Sequence, residues 1–172
     1  MALLIELKCK PVVKQYIVNR YAQQGQPNQI TLPDRDWLKK MIERYLSRPD
    51  TNYDTQVTLQ YYTERVDIPV PMRFYLDYGT FLTPTATMHI NNHIQDLIDE
   101  LLFEFLKFYT TIAGLQLKNA INLFREIYNI PEEAYSTAAI HKFWQRSRIK
   151  RPIDKRNINR IFKYTNCPAP KK

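Results

Sequence analysis

Apolar and polar residues alternate at the start of the chain. Leu3, Ile5, Leu7 and Cys9 fall on one side, and Leu4, Glu6 and Lys8 on the other. A period of two marks a strand. From Pro11 the period lengthens, with Val13, Tyr16, Ile17, Arg20 and Tyr21 at helical spacing, and proline suits a first helical turn. Residues 23–28 are polar with a glycine and a proline, which predicts a loop, and residues 29–32 predict a short strand. Asp34 is the expected N-cap of a helix carrying Trp37, Leu38, Met41, Ile42, Tyr45 and Leu46. That helix should stop near Arg48, before Pro49, with a turn at Arg48-Pro49-Asp50. Val57, Leu59 and Tyr61 alternate again and predict a strand over about 55–66. The first 66 residues therefore read as a β-α-β-α-β unit.

Ile68-Pro69-Val70-Pro71 reads as a boundary, because two prolines two apart interrupt both helix and sheet. Beyond it the pattern is helical. A short helix is expected over 71–78, ending at Gly79. Thr83-Pro84 places an N-cap and a proline at the head of a long helix to about Thr111, with Ile90, Ile94, Leu97, Ile98, Leu101, Leu102, Phe105 and Phe108 on its apolar side. Gly114 breaks it. Leu115, Leu117, Ile121, Phe124, Ile127 and Tyr128 form the next helix, which Asn129-Ile130-Pro131 ends. Another helix is expected over 136–148, and a last basic one over 154–164 beyond Pro152. The expected fold class is α+β. A small unit (1–68) is followed by a mainly helical domain (69–149), and then by a basic extension (150–172).

Composition narrows the function classes. The 172 residues include only three glycines, with no GxGxxG and no GxxxxGK[ST], so Gly-rich nucleotide loops lose their fingerprint. Cys9 and Cys167, near opposite ends, form neither a disulfide framework nor a zinc ribbon, and free thiols fit a reducing compartment. The start Met1-Ala2-Leu3-Leu4-Ile5-Glu6 lacks a basic n-region, and no apolar run approaches the ~20 residues of a membrane span. A soluble, cytoplasmic protein without a membrane partner is expected.

Charge sharpens this picture. The net charge is +8, yet residues 142–172 carry eleven basic residues and one acid, Asp154, while residues 1–141 sum to −2. The excess begins inside the helix predicted over 136–148. There Ile140, Phe143, Trp144 and Ser147 share one face, and Thr137, Ala138, His141, Lys142, Gln145 and Arg148 the other. A helix that enters a major groove needs small, polar and basic side chains of this kind. Thr137, His141, Lys142, Gln145, Arg146 and Arg148 are the candidate base and phosphate contacts. Lys150, Arg151, Lys155, Arg156, Arg160 and Lys163 would clamp phosphates.

In the stretch 120–146 the pattern resembles the helix-turn-helix of DNA-binding regulators and small proteins of bacterial phages and mobile elements. Ala120 would sit where two helices need a small residue between them, Ser136 would cap the second helix, and Trp144 would anchor it. The sequence departs from the usual motif in its inter-helix gap, 129–136, which is longer than three or four residues. Either the gap holds its own turn of helix over 131–135, or Pro131 starts a helix that continues to Arg148. The resemblance implies a non-enzymatic DNA-binding regulator or accessory factor without a cofactor, with DNA preferred to RNA. Residues 1–114 would then serve dimerisation or a protein partner. The alternative is a structural or assembly protein whose basic end grips an acidic partner, or nucleic acid without reading its sequence. On geometry alone, two packed helices of an ordinary bundle with a solvated face are the commoner arrangement, and it is the segregated charge that favours nucleic acid.

Other constellations carry less. His89, His93 and Asp96 can share a helix face, as a metal site requires, but no fourth ligand and no HExxH accompany them. Asp96, Asp99, Glu100 and Glu104 line the same helix, where a solvated acidic face is the common reading and a Mg²⁺ pair the rarer one. Ser47, Ser136 and Ser147 lack a G-x-S-x-G context. Tyr61-Tyr62 near Arg65 suits either base stacking or covering of a sheet.

Overall fold

The computed structural model describes residues 2–23, 26–47, 59–79 and 81–150. In chain order the elements are β1 (Ala2–Cys9), α1 (Pro11–Tyr21), β2 (Ala22–Gln23), β3 (Gln26–Ile30), α2 (Trp37–Tyr45) and β4 (Leu46–Ser47). A 3-10 turn (Leu59–Tyr61) precedes β5 (Glu64–Pro71), α3 (Met72–Tyr78), β6 (Phe81–Leu82), α4 (Pro84–Thr111), α5 (Leu117–Tyr128) and α6 (Thr137–Lys150). The protein is a mixed α+β fold. Its described strands form three separate antiparallel pairs, β1 with β5, β2 with β3 and β4 with β6, rather than one β-α-β-α-β sheet.

The main ribbon joins β1 to β5 over eight residue pairs, from Ala2 opposite Pro71 to Cys9 opposite Glu64. Its inner face is Ile5, Leu7 and Cys9 with Val66, Ile68 and Val70, all buried. β5 therefore lies later than the strand expected over 55–66. Residues 55–58 lie outside the described part. At 59–61 the chain turns instead, with Tyr62 N–H donating to the Leu59 carbonyl at 3.0 Å, and Tyr61 is exposed. The expected boundary at 68–71 falls inside β5. Two prolines are tolerated there because their spacing puts both missing N–H groups on the same edge of the strand. In a two-stranded ribbon the outer edge needs no ladder partner.

The helical part follows the sequence reading closely. α3 ends at Gly79, which has φ 93°, in the left-handed region a glycine enters without strain. Thr83 caps α4, its Oγ1 accepting from Ala86 N–H at 3.1 Å, and Pro84 holds the first helical position. The cap of α2 is a correction. Asp36 N–H donates to the Pro33 carbonyl at 3.0 Å, so Asp34 and Arg35 form the corners of a turn. The cap is Asp36, which accepts from Leu38 N–H at 2.8 Å. Asp34 instead pairs with buried Lys39.

The 28-residue α4 is the axis of the molecule. Its N-terminal half packs on β1, α1 and α2, and its C-terminal half on α5 and α6. More than one face is therefore buried. Besides the predicted apolar side, Phe103, Leu106 and Tyr109 are covered, as are Asn91 and Lys107. Asn91 is fully buried, and all of its polar atoms are used. Its Oδ1 accepts from Lys10 N–H at 3.1 Å, and its Nδ2 donates to the carbonyls of Lys8 at 2.9 Å and Thr87 at 2.8 Å. It thus ties α4 to the junction between β1 and α1. α1 has no side-chain cap of its own, so this amide holds the point where strand becomes helix.

Removing that side chain takes the side-chain partner from the part-buried Lys8 carbonyl and Lys10 N–H. Asn91→Ala should lower the unfolding free energy by about 2–3 kcal/mol. Asn91→Leu, although apolar, should also destabilise. Asn92→Ala, one residue on and exposed, should stay within about 0.5 kcal/mol of the parent. Urea unfolding with an unchanged m-value checks all three.

Candidate nucleic-acid interface

α5 and α6 lie against the C-terminal half of α4 through aromatic contacts. Phe105 of α4 meets Phe124 of α5 edge-on at 5.2 Å between ring centres and Tyr128 at 6.1 Å. Phe103 of α4 meets Trp144 of α6 at 5.6 Å. Ala120, fully buried in α5, occupies the position where a small residue was expected. α5 ends on Asn129 in the left-handed conformation (φ 46°, ψ 48°), with Ile130 N–H donating to the Arg125 carbonyl at 3.0 Å. Asn19 of α1 donates to the Tyr128 carbonyl, so the end of α5 is also tied to the N-terminal part.

Between the helices, Ala134 and Tyr135 N–H groups both donate to the Pro131 carbonyl, at 3.1 and 3.2 Å. The gap holds a single turn, and α6 starts afresh behind Ser136. Ser136 is the cap expected from sequence: its Oγ accepts from Ala139 N–H at 3.2 Å and its carbonyl from Ile140 N–H at 3.0 Å. The turn is fixed to α4 by Tyr135, whose hydroxyl donates to Asp99 Oδ1 at 2.9 Å. Gln95 Nε2 donates to the same oxygen at 3.0 Å. Burial raises the Asp99 carboxyl above the ordinary range, against the lowering effect of those two hydrogen bonds.

A polar knot joins α5 to the head of α6. Glu132 takes the Thr137 N–H on Oε1 and the Thr137 hydroxyl on Oε2, each at 2.8 Å. Arg125 of α5 pairs with Glu132. It also donates to Thr137 Oγ1 at 2.7 Å and to the Tyr135 carbonyl at 2.6 Å. The Arg125 side chain is only 14% exposed. The hydrogen bonds from Thr137, backbone first, hold the Glu132 carboxyl below its usual range, with Arg125 adding to the effect. A carboxylate at this end of a helix is also favoured by the helix dipole.

The described residues include only the predicted contacts of α6. Thr137 is the exception among the helix residues, since its hydroxyl is engaged by Glu132 and Arg125. His141, Lys142, Gln145, Arg146 and Arg148 are exposed, while Ile140 and Trp144 are buried and Phe143 and Ser147 half-buried. Arg148 lies beside the Trp144 ring, 5.8 Å from its centre. Lys150 closes α6. Arg151, Lys155, Arg156, Arg160, Lys163 and the basic helix expected over 154–164 lie outside the described residues, as does Cys167. Arg125, Glu132 and Asn91 are the residues sequence reasoning missed. The first two belong to no capping box, because Ala139 rather than an acid follows Ser136 at the third helical position.

The other constellations become structural. His93 packs edge-on against Trp37 at 5.2 Å and His89 stacks on Tyr45 at 6.0 Å, so both contact α2. Among the described residues, no group of three or more His, Cys, Asp and Glu side chains could hold a metal ion. Glu104 pairs with Lys107 at 3.6 Å. Burial pushes the Cys9 thiol up to about 12, as befits a core residue rather than a nucleophile. No helix among the described residues is long and apolar enough to cross a membrane. Comparison with known proteins finds no family model, no curated protein and no solved structure that matches this chain.

Glu132 and Asp99 carry opposite pH signatures. The lowered Glu132 contributes stability that is present above its unfolded pKa and is lost as pH falls through the folded value. The raised Asp99 costs stability as pH climbs from its unfolded to its folded value. Glu132→Gln should therefore be destabilised relative to the parent at pH 7, with the gap closing under acid, below the ordinary Glu value of about 4.3. Asp99→Asn should show the reverse trend, gaining on the parent as pH rises through the carboxylate range. Denaturation midpoints between about pH 3 and 7 test both.

Proposed function

We propose that the chain is a non-enzymatic DNA-binding protein, a regulator or accessory factor that contacts DNA with the exposed face of α6 and the basic segment behind it. α5, the single turn and α6 take the part of a helix-turn-helix, with α6 as the recognition helix. One observation carries the reading. The outward face of α6 bears His141, Lys142, Gln145, Arg146 and Arg148, and no acid occurs anywhere in Thr137–Lys150. A solvated helix face ordinarily mixes both signs. This one is continuous in sequence with a run holding eight basic residues and one acid over 150–172. Lys and Arg there would neutralise phosphates, and Gln145 offers both donor and acceptor to a base edge.

Fluorescence anisotropy on labelled duplexes across a salt series tests the reading, with RNA as competitor. The parent should bind with a steep negative salt slope. Replacing Lys150, Arg151, Lys155 and Arg156 together by alanine should weaken all sequences alike. The slope should flatten by about one unit per lost phosphate contact. Lys142→Ala or Gln145→Ala should instead change the preferred sequence. Unchanged affinity and slope in the fourfold variant would remove the basic segment from the interface. Stable complexes with an acidic protein that form without nucleic acid would favour the assembly role.

A further inference from the structure

The outward face of the β1–β5 ribbon is ordered in charge and uncovered. Leu4 lies opposite Pro69, then Glu6 opposite Asp67, then Lys8 opposite Arg65. All four charged residues are exposed, and Leu4 keeps 67% of its surface. Like charges directly across an antiparallel pair are unfavourable within one chain, and here two such pairs occur in succession. Arg65 and Glu6 meet on the diagonal at 3.7 Å, both well solvated, and such a contact contributes little. Among the described residues, Lys8 and Asp67 form no ion pair.

We propose that this face is a weak two-fold interface between two copies of the chain. A row of two acids beside a row of two bases is complementary to itself. Let two ribbons stack face to face about a two-fold axis that runs across the strands between the charged rows. Glu6 then lies over Lys8 of the second copy, and Asp67 over Arg65 of the second copy. Every charge that opposes its like within the chain meets its opposite across the interface. A polyanion would be repelled by the acidic row, and a partner of either single sign would satisfy only half the face. The second copy satisfies all of it, with aligned stacking of the kind two sheets adopt. An eight-residue ribbon offers roughly 250–300 Å² from strand rise and spacing. Stable interfaces bury about 800 Å² per partner. The dimer is therefore weak, on the order of tens of micromolar or weaker. The inference does not depend on DNA binding.

Analytical ultracentrifugation of the full chain from about 5 to 500 µM brackets that range. The parent should show reversible dimerisation that weakens about tenfold when salt is raised from about 50 to 500 mM. Lys8→Glu and Glu6→Lys should each dimerise at least about tenfold more weakly, since each sets like charges against each other across the axis. An equimolar mixture of the two should associate again, because K8E carries only acids on β1 where E6K carries only bases. Within the monomer each change has the opposite effect. Glu at 8 would face Arg65, and Lys at 6 would face Asp67. Melting temperature at low concentration should hold or rise by about 1–3 °C, which separates a lost interface from a lost fold. Three results would each overturn the proposal. The parent could stay monomeric throughout, its dimer could be indifferent to both changes, or the two folded variants could fail to associate when mixed.

Discussion

A primary amide inside a protein is tolerated only where its donors and its acceptor all find partners. Asn91 meets that condition with three carbonyl or N–H groups drawn from β1, the start of α1 and its own helix. Much of the molecule follows from it. With the β1–α1 junction pinned to the middle of the first half of α4, the direction in which β1 leaves is set. β5 must then follow β1 in register, so that Val66, Ile68 and Val70 close over the same core as Ile5, Leu7 and Cys9. An apolar residue in place of Asn91 would fill the space but would leave the junction's backbone groups without their side-chain partner. A well-packed contact surface can slide by small amounts, whereas a side chain that must reach two backbone groups at 2.9 and 3.1 Å cannot.

The same helix transmits that geometry to the far end. α4 is continuous from Pro84 to Thr111, so whatever fixes its N-terminal half also fixes the frame on which α5 and α6 sit. Phe103 and Phe105 provide the apolar contacts, to Trp144 and Phe124, and Asp99 provides the polar one, to Tyr135. Aromatic packing sets how close α6 lies, and the Tyr135 hydroxyl fixes where the preceding turn is fastened. Arg125 then couples the turn to α5 and to the head of α6. The outward face of α6 is thus displayed by a chain of contacts that runs back to the strand ribbon.

Much of this was legible as pattern, and the failures have identifiable causes. Periodicity located α4, α5, α6 and the inner face of β1, because each has an apolar stripe long enough to distinguish one period from the other. Caps at Thr83 and Ser136 were legible because proline or a following apolar run marked the helix start. The cap at Asp34 was misplaced because Asp34 and Asp36 are chemically equivalent in sequence, and only the Pro33–Asp36 turn decides between them. β5 was displaced because prolines were read as strand breakers, and nothing local reveals that the strand has a free edge. Asn91 was overlooked for a related reason: a polar residue in a long helix looks solvated until three separated segments converge on it. The Arg125–Glu132–Thr137 knot spans twelve residues and two elements, beyond the reach of any capping pattern read within one helix.

The knot also bears on how a polyanion would meet α6. At its N-terminus the Thr137 and Ala139 N–H groups are taken by Glu132 and Ser136, and the ionised Glu132 sits where a phosphate would otherwise be drawn. Glu133 stands beside it, exposed. Basic side chains begin one turn further on, at Lys142, and continue through Arg146 and Arg148. Side-chain charge along α6 therefore runs from the acids at its head, where Glu132 is paired with Arg125, to bases in its second half, over a distance of about 10 Å at 1.5 Å per residue. That is comparable to the screening length at physiological salt, so the two ends act as separate charges on a nearby phosphate backbone. In the DNA-binding reading, attraction is strongest at Arg146 and Arg148, and the acidic head tilts away from the duplex. The middle of the helix, where His141 and Gln145 lie, is then the part left to face base edges. Thr137 serves that arrangement from within the cap, by holding the carboxylate that sets the helix's polarity.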